Sequence, residues 1–110
     1  MAKYNQDFYR LKASLCKTFA EPKRLIIIEE LRHGEKTVSD LTDALAIPQA
    51  AISRHLALLR DRGVVRMRRA GTNIFYSLTN AKICEACDLV HDILLQQMEN
   101  NHNLVQRLKE

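Results

Sequence analysis

The fold is decided by residues 37–78, which run TVSDLTDALAIPQAAISRHLALLRDRGVVRMRRAGTNIFYSL. Thr37 followed three residues later by Asp40 is a capping pattern, so we expect a short helix from about 38 to 46. Proline suits the first position of a helix, so we expect a second helix to begin at about Pro48. It should end at residue 62, because Gly63 is a residue type that commonly stops a helix. Two short helices joined by a tight turn predict a helix-turn-helix, whose second helix enters a DNA groove.

The second helix has two different faces. Apolar residues at spacings of four and three are expected to pack inward: Ile52, Leu56 and Leu59. The opposite side carries small and polar residues: Gln49, Ala50, Ser53, Arg54 and Ala57. Gln, Ser and Arg side chains hydrogen-bond bases or phosphates, and small neighbours allow a close approach, so this face is the candidate DNA-reading surface. His55 is expected to pack or to contact a phosphate, and an ordinary solvated face is the alternative interpretation.

A β-hairpin is expected directly behind this helix. Residues 64–69 and 74–78 are β-prone runs, and the connection Ala70-Gly71-Thr72-Asn73 separates them. Six arginines and one aspartate between positions 54 and 69 give that segment a charge of +5, whereas the whole chain carries +4. Such a concentration of positive charge is typical of a nucleic-acid-binding surface. The hairpin is therefore interpreted as the wing of a winged helix, with these candidate DNA contacts: Arg66, Arg68, Arg69 and Thr72.

Three motifs, AEPKRLIIIEEL, SRHLALLRDRGVV and RRAGTNIFYSL, make most of the chain resemble the ArsR/SmtB family of bacterial winged-helix repressors. The resemblance covers about residues 11–96. It implies a mainly α fold with a small β-hairpin, in the order α1-α2-α3-α4-β1-β2-α5. It also implies a homodimer that binds double-stranded operator DNA and releases it when a metal, a metalloid or a thiol-reactive species is sensed.

We expect residues 1–110 to form a single winged-helix domain in which residues 6–19 and 81–100 are dimerisation helices. Eighteen residues at 1.5 Å each make the last helix about 27 Å long, more than one small domain must cover. A broad apolar stripe runs along it: Ile83, Ala86, Cys87, Val90, Ile93, Leu94 and Met98. A partner chain explains this surplus, and the resemblance implies the same interface. A helix packed only on its own domain is the alternative.

The chain has three cysteines, and two of them share one face of the last helix. Cys84 and Cys87 are three residues apart, His91 follows four residues later, and Cys16 lies on the first helix. Thiolates suit arsenite, cadmium or zinc, and two thiolates with His91 suit zinc. The alternatives are oxidation or persulfide chemistry at the pair, or buried cysteines that act as small apolar residues. Cys84 and Cys87, with Cys16, are therefore candidate sensor residues, and no cofactor is required.

Two cysteine and histidine patterns of well-known family members are absent. Thr37 and Ser39 stand where many metal sensors carry cysteines, and the last helix lacks the D-x-H zinc pattern. The identity of the inducer therefore cannot be inferred from those subfamilies.

Composition narrows the function further. Aromatic residues are 5% of the chain and there is no Trp, which argues against a single-strand binder that stacks bases. No apolar run approaches the roughly 18 residues needed to span a membrane, and the N-terminus lacks the apolar core of a signal peptide, so a cytoplasmic location is expected. We expect a DNA-binding repressor without enzymatic activity. The rival classes are a thiol-disulfide redox or metal-handling protein using C-x-x-C, and a protein-interaction winged-helix module.

Overall fold

The computed structural model describes residues 3–109, which form helices and one two-stranded antiparallel sheet. The element order is α1 (Gln6–Thr18), α2 (Pro22–Leu31), α3 (Val38–Leu45), α4 (Gln49–Asp61), β1 (Val65–Ala70), β2 (Asn73–Leu78), α5 (Lys82–Glu99) and α6 (His102–Lys109). The expected winged-helix order is confirmed, and α6 is an additional helix. No helix in the described range is long and apolar enough to cross a membrane.

The chain divides into two compact units, Met1–Asn80 and Ala81–Glu110. The first unit holds the helix-turn-helix and the hairpin, and the second holds α5 and α6. The expectation of one domain over 1–110 stays a prediction.

Local sequence signals explain the helix-turn-helix. The capping box is present, because Thr37 Oγ1 accepts from the Asp40 N–H at 3.0 Å and the Asp40 carboxylate accepts from the Thr37 N–H at 3.0 Å. Donation from Thr37 lowers the pKa of Asp40. Ala46 ends α3 in the left-handed conformation with φ 54°, and Pro48 is the N-cap of α4 rather than its first residue. Gly63 follows α4 at φ 76°, as expected for a residue that stops a helix.

The hairpin is tighter than the sequence suggested. Its register pairs Val65 with Leu78 and Ala70 with Asn73, so the tip is the two residues Gly71 and Thr72 rather than four. Gly71 has φ 64°, which a two-residue hairpin turn with glycine at its first central position requires.

Two further connections fix the hairpin to the first unit. Lys36 forms a bridge with Tyr76 through backbone hydrogen bonds of 3.0 and 2.8 Å. Thr79 donates its hydroxyl to the Gly63 carbonyl at 2.7 Å, across the base of the hairpin. The sequence favours Thr79 or Asn80 as the N-cap of the last helix, because Thr and Asn are common N-cap residues. That expectation is wrong, because α5 begins after Ala81 without a side-chain cap.

The hydrophobic core lies in the first unit, where α2, α3, α4 and the hairpin pack together. Its fully buried large side chains are Ile27, Leu41, Ile52, Leu56, Leu59 and Val64. The four consecutive apolar residues 25–28 predict that α2 is buried on most sides. This prediction is wrong for Leu25 and Ile26, which are 41% and 46% exposed. Helix α4 packs against this core on one side only, and its other side is exposed to solvent.

Candidate nucleic-acid interface

Helix α4 presents the expected two faces. Ile52, Leu56 and Leu59 have no exposed surface, so they lock the helix onto the core. The residues predicted to read DNA are exposed on the other side: Gln49, Ala50, Ser53 and Arg54. Because the buried side fixes the rotation of α4, these four side chains form one continuous, outward-facing surface, hereafter the reading face.

The start of α4 adds to the reading face. Pro48 supplies no side-chain hydrogen bond to cap the helix, and the first turn contains no acidic residue. The N–H groups of such a turn carry a partial positive charge that favours a phosphate. Gln49 and Ala50 stand at this end, so the backbone N–H groups of the first turn lie next to the reading face.

His55 lies on the buried side of α4, unlike the other predicted DNA contacts on this helix. It is only 8% exposed, and its Nε2 is 4.0 Å from Oε2 of Glu21. Burial lowers the pKa of His55, and the Glu21 carboxylate offsets part of that effect. The sequence left open whether His55 packs or contacts a phosphate. Its burial favours packing.

The wing carries exposed arginines on both faces of the hairpin. Successive residues of a strand point to opposite faces, so Arg66 and Arg68 share one face and Arg69 lies on the other. The side chains of Arg66 and Arg69 make no hydrogen bond or ion pair with another residue within 3–109. Thr72 is exposed at the tip. These three positions agree with the prediction that the wing contacts DNA, which stays a prediction.

Two arginines of the basic segment are engaged by the protein itself. Arg68 forms two hydrogen bonds with Glu35, at 2.5 Å between Nη2 and Oε1 and at 3.2 Å between Nε and Oε2. Its guanidinium carbon also lies 4.9 Å from the centroid of the Phe75 ring. Arg62 donates to the hydroxyl of Ser14 on α1. Sequence reasoning missed the partners Glu35 and Ser14, because nothing local links residues 33 and 48 positions away.

The cysteines lie outside the reading face and the wing. Cys84 and Cys87 are half-buried on the first two turns of α5, Cys16 is exposed on α1, and His91 is exposed on α5. Among the residues that the structure describes, no three His, Cys, Asp or Glu side chains are grouped to hold a metal ion. The sensor and metal-ligand assignments stay predictions, as does the participation of Cys16.

Comparison with known proteins identifies the family. Residues 21–67 match the family described as bacterial regulatory protein, arsR family. The chain is 40% identical over 76 residues to the HTH-type transcriptional regulator NmtR of Mycobacterium tuberculosis, which covers 69% of this chain and 63% of that relative. It is 36% identical over 85 residues to the biofilm growth-associated repressor of Xylella fastidiosa, covering 77% of this chain and 75% of the relative. The chain belongs to the ArsR family.

A solved structure supports the ArsR assignment. The homodimeric winged helix-turn-helix DNA-binding domain of Mb0332 from Mycobacterium bovis, a possible ArsR-family regulator, superposes with a TM-score of 0.78. It is 25% identical and covers 92% of this chain and 96% of that chain. The predicted winged-helix fold and DNA-binding repressor function are confirmed at the level of the ArsR family. The matched proteins are transcription regulators, which fits a chain that is not an enzyme.

Proposed function

We propose that this ArsR chain is a homodimeric repressor that binds an imperfect palindromic operator and is released by thiol chemistry. The observation that carries the DNA-binding part is the reading face on α4 beside a basic wing. In this arrangement Gln49 and Arg54 reach base edges in the major groove, where Arg pairs with guanine and Gln with adenine. Arg66 and Arg69 contact the phosphate backbone and determine affinity rather than sequence.

The two rival functional classes explain fewer features of the structure. A thiol-disulfide redox protein requires reactive cysteines but has no use for the reading face or for Arg66 and Arg69. A protein-interaction module would not need donor groups matched to base edges. Both rivals also lack support from the relatives, which are named as transcription regulators.

The homodimer is supported by exposed apolar surface on both predicted dimerisation helices. Four apolar residues of α5 are between 48% and 66% exposed, and no residue of this helix is fully buried: Leu89, Val90, Ile93 and Leu94. On α1, Leu11 is 72% exposed. Contiguous apolar surface of this kind marks an interaction site. A second copy is the partner that fits, since the superposed Mb0332 domain is homodimeric. Two-fold symmetry then places two reading faces on two half-sites about one helical turn apart, or a multiple of it.

The inducer is proposed to act at Cys84 and Cys87. Both thiols are half-buried, lie one turn apart on one face of α5, and share that helix with the apolar dimer surface. Bridging the two sulfurs, or binding arsenite, cadmium or zinc between them, would alter the packing of a helix that sets the spacing of the two reading faces. An allosteric coupling of about 1–3 kcal/mol would weaken operator binding by about 5- to 150-fold.

The DNA-binding proposal is tested with an operator selected from a random duplex pool and with an unrelated duplex. Arg69→Ala removes one phosphate contact from each protomer, so the slope of log affinity against log salt should fall by about 1.8 on both duplexes. Arg54→Ala should instead reduce the ratio of specific to non-specific affinity. Arg10→Ala is the control, because this exposed arginine on α1 pairs with Asp7 outside the proposed interface.

The two variants separate the roles of wing and helix. Loss of slope with an unchanged specificity ratio identifies a backbone contact, and loss of the ratio identifies base reading. A parent protein that binds both duplexes equally would contradict the assignment of the reading face. An Arg69→Ala slope equal to that of Arg10→Ala would remove the wing from the interface.

A further inference from the structure

Arg68 differs from the other wing arginines because a carboxylate already occupies its guanidinium. The Nε and Nη2 groups both donate to Glu35, at 3.2 and 2.5 Å, which is the two-pronged geometry that an arginine also uses on a phosphate. Glu35 precedes Lys36 in the connection between α2 and α3, far from the hairpin in sequence. The pair therefore ties the wing to the body of the first unit.

The surrounding strands hold this pair in place. Arg68 and Phe75 are directly opposed in the hairpin register, and the guanidinium lies 4.9 Å from the Phe75 ring centroid. Lys36 forms two backbone hydrogen bonds with Tyr76, the residue after Phe75. The Arg68 side chain thus crosses the hairpin over Phe75 and meets Glu35 on the far side. One aromatic face, one carboxylate and one backbone bridge define its position.

The electrostatics of the pair favour its ionised form. The hydrogen bond from Arg68 lowers the pKa of Glu35, and the same bond raises the pKa of Arg68. At neutral pH the two charges cancel, so the pair adds no net charge to the wing. Arg66, two residues earlier on the same hairpin face, has no such partner among residues 3–109.

We propose that Glu35 takes the place of a DNA phosphate at Arg68, so that Arg68 positions the wing and, of the wing arginines, only Arg66 and Arg69 contact DNA. This inference rests on the proposed DNA-binding function. It assigns Glu35 a role in limiting affinity, because the carboxylate removes one cation per protomer from the interface. Weaker backbone binding leaves more of the discrimination to the reading face, since phosphate contacts carry no sequence information.

The experiment measures the salt dependence of affinity for a non-specific duplex in four full-length proteins: the parent, Arg68→Ala, Glu35→Gln and the double variant. Arg68→Ala should leave the slope unchanged. Glu35→Gln should steepen it by about 1.8 per dimer, because two arginines become available to phosphates. The double variant should return to the parental slope. Arg66→Ala is the matched control on the same face and should reduce the slope by about 1.8.

Three contrary results would each lead to a different conclusion. If Arg68→Ala reduces the slope as Arg66→Ala does, Arg68 is a DNA contact and the inference is overturned, while the proposed function stands. If the double variant keeps the steep slope of Glu35→Gln, the carboxylate repels DNA without acting through Arg68, and the inference also fails. A parent without salt-dependent duplex binding overturns the proposed function as well. Arg68→Gln, which keeps the aliphatic stem over Phe75, replaces Arg68→Ala should the latter unfold the hairpin.

Discussion

Disruption of the apolar face of α5 should convert the protein from dimer to monomer without unfolding either unit. We choose Val90→Asp with Leu94→Asp, because these residues lie one turn apart and are 66% and 48% exposed within one chain. Side chains that are already half in solvent contribute little to the fold of the isolated chain. The helical circular dichroism of the double variant should therefore match that of the parent.

The size of the effect follows from the exposed fractions. Full burial of a Val or Leu side chain is worth about 1.5–3 kcal/mol, so burying the exposed half is worth about 1–1.5 kcal/mol. Two positions on each of two protomers then contribute about 4–6 kcal/mol to association. Their loss should raise the dimer dissociation constant by at least about a thousandfold, and burial of the introduced carboxylates would add to this.

Sedimentation equilibrium of the parent and the variant over a range of concentrations measures this constant directly. Leu95→Asp is the matched control, because it introduces the same residue at a position that is 43% exposed on the opposite side of the same helix. The parent and the control should sediment as dimers, and the double variant as a monomer with weakened operator binding. A parent that stays monomeric at high concentration, or a double variant that stays dimeric, would refute the assignment of this face.

Two further predictions concern titratable and thiol side chains. The operator affinity of the parent should fall by about 5- to 150-fold on titration with arsenite, zinc, polysulfide or a disulfide-forming oxidant. The Cys84→Ala/Cys87→Ala variant should not respond. An equal response in both proteins would show that these cysteines are only packing residues. Burial lowers the pKa of His55 from its usual 6.5, so the folded state binds this proton less readily than the unfolded state. His55 therefore contributes stability above pH 6.5, and this stability is lost as the pH falls through the pKa of the folded state. Urea unfolding should therefore show a shallower loss of stability below pH 6.5 for His55→Gln than for the parent. Parallel curves for the two proteins would contradict this account.

The helix-turn-helix was predictable because its signals are local. The capping box of Thr37 and Asp40, and Gly63 at the end of α4, each act within a few residues, and the structure has them where the sequence placed them. The turn itself was less visible. Ala46 adopts a left-handed conformation that glycine or asparagine usually occupies, so composition alone gave no sign of it.

Features that depend on tertiary partners were not predictable. Leu25 and Ile26 belong to a run of apolar residues that predicts an α2 buried on most sides, but a short helix on one core can bury only part of its circumference. Helix α6 follows asparagines that are weak helix formers, and propensity alone argued against continuing the helical structure there. For α2, the missing information was which side of the helix the core covers.

The same distinction governs the electrostatics of DNA binding. Six arginines between residues 54 and 69 would give a dimer twelve phosphate contacts and a salt slope of up to about −10.8. Two of these six arginines already donate hydrogen bonds to protein groups: Arg62 to Ser14 and Arg68 to Glu35. Four arginines per protomer lower the upper limit to about −7.2. Formal charge in the sequence thus indicated where the candidate interface lies. The number of charges that can reach DNA depends on side chains 33 and 48 residues away, which only the fold brings beside them.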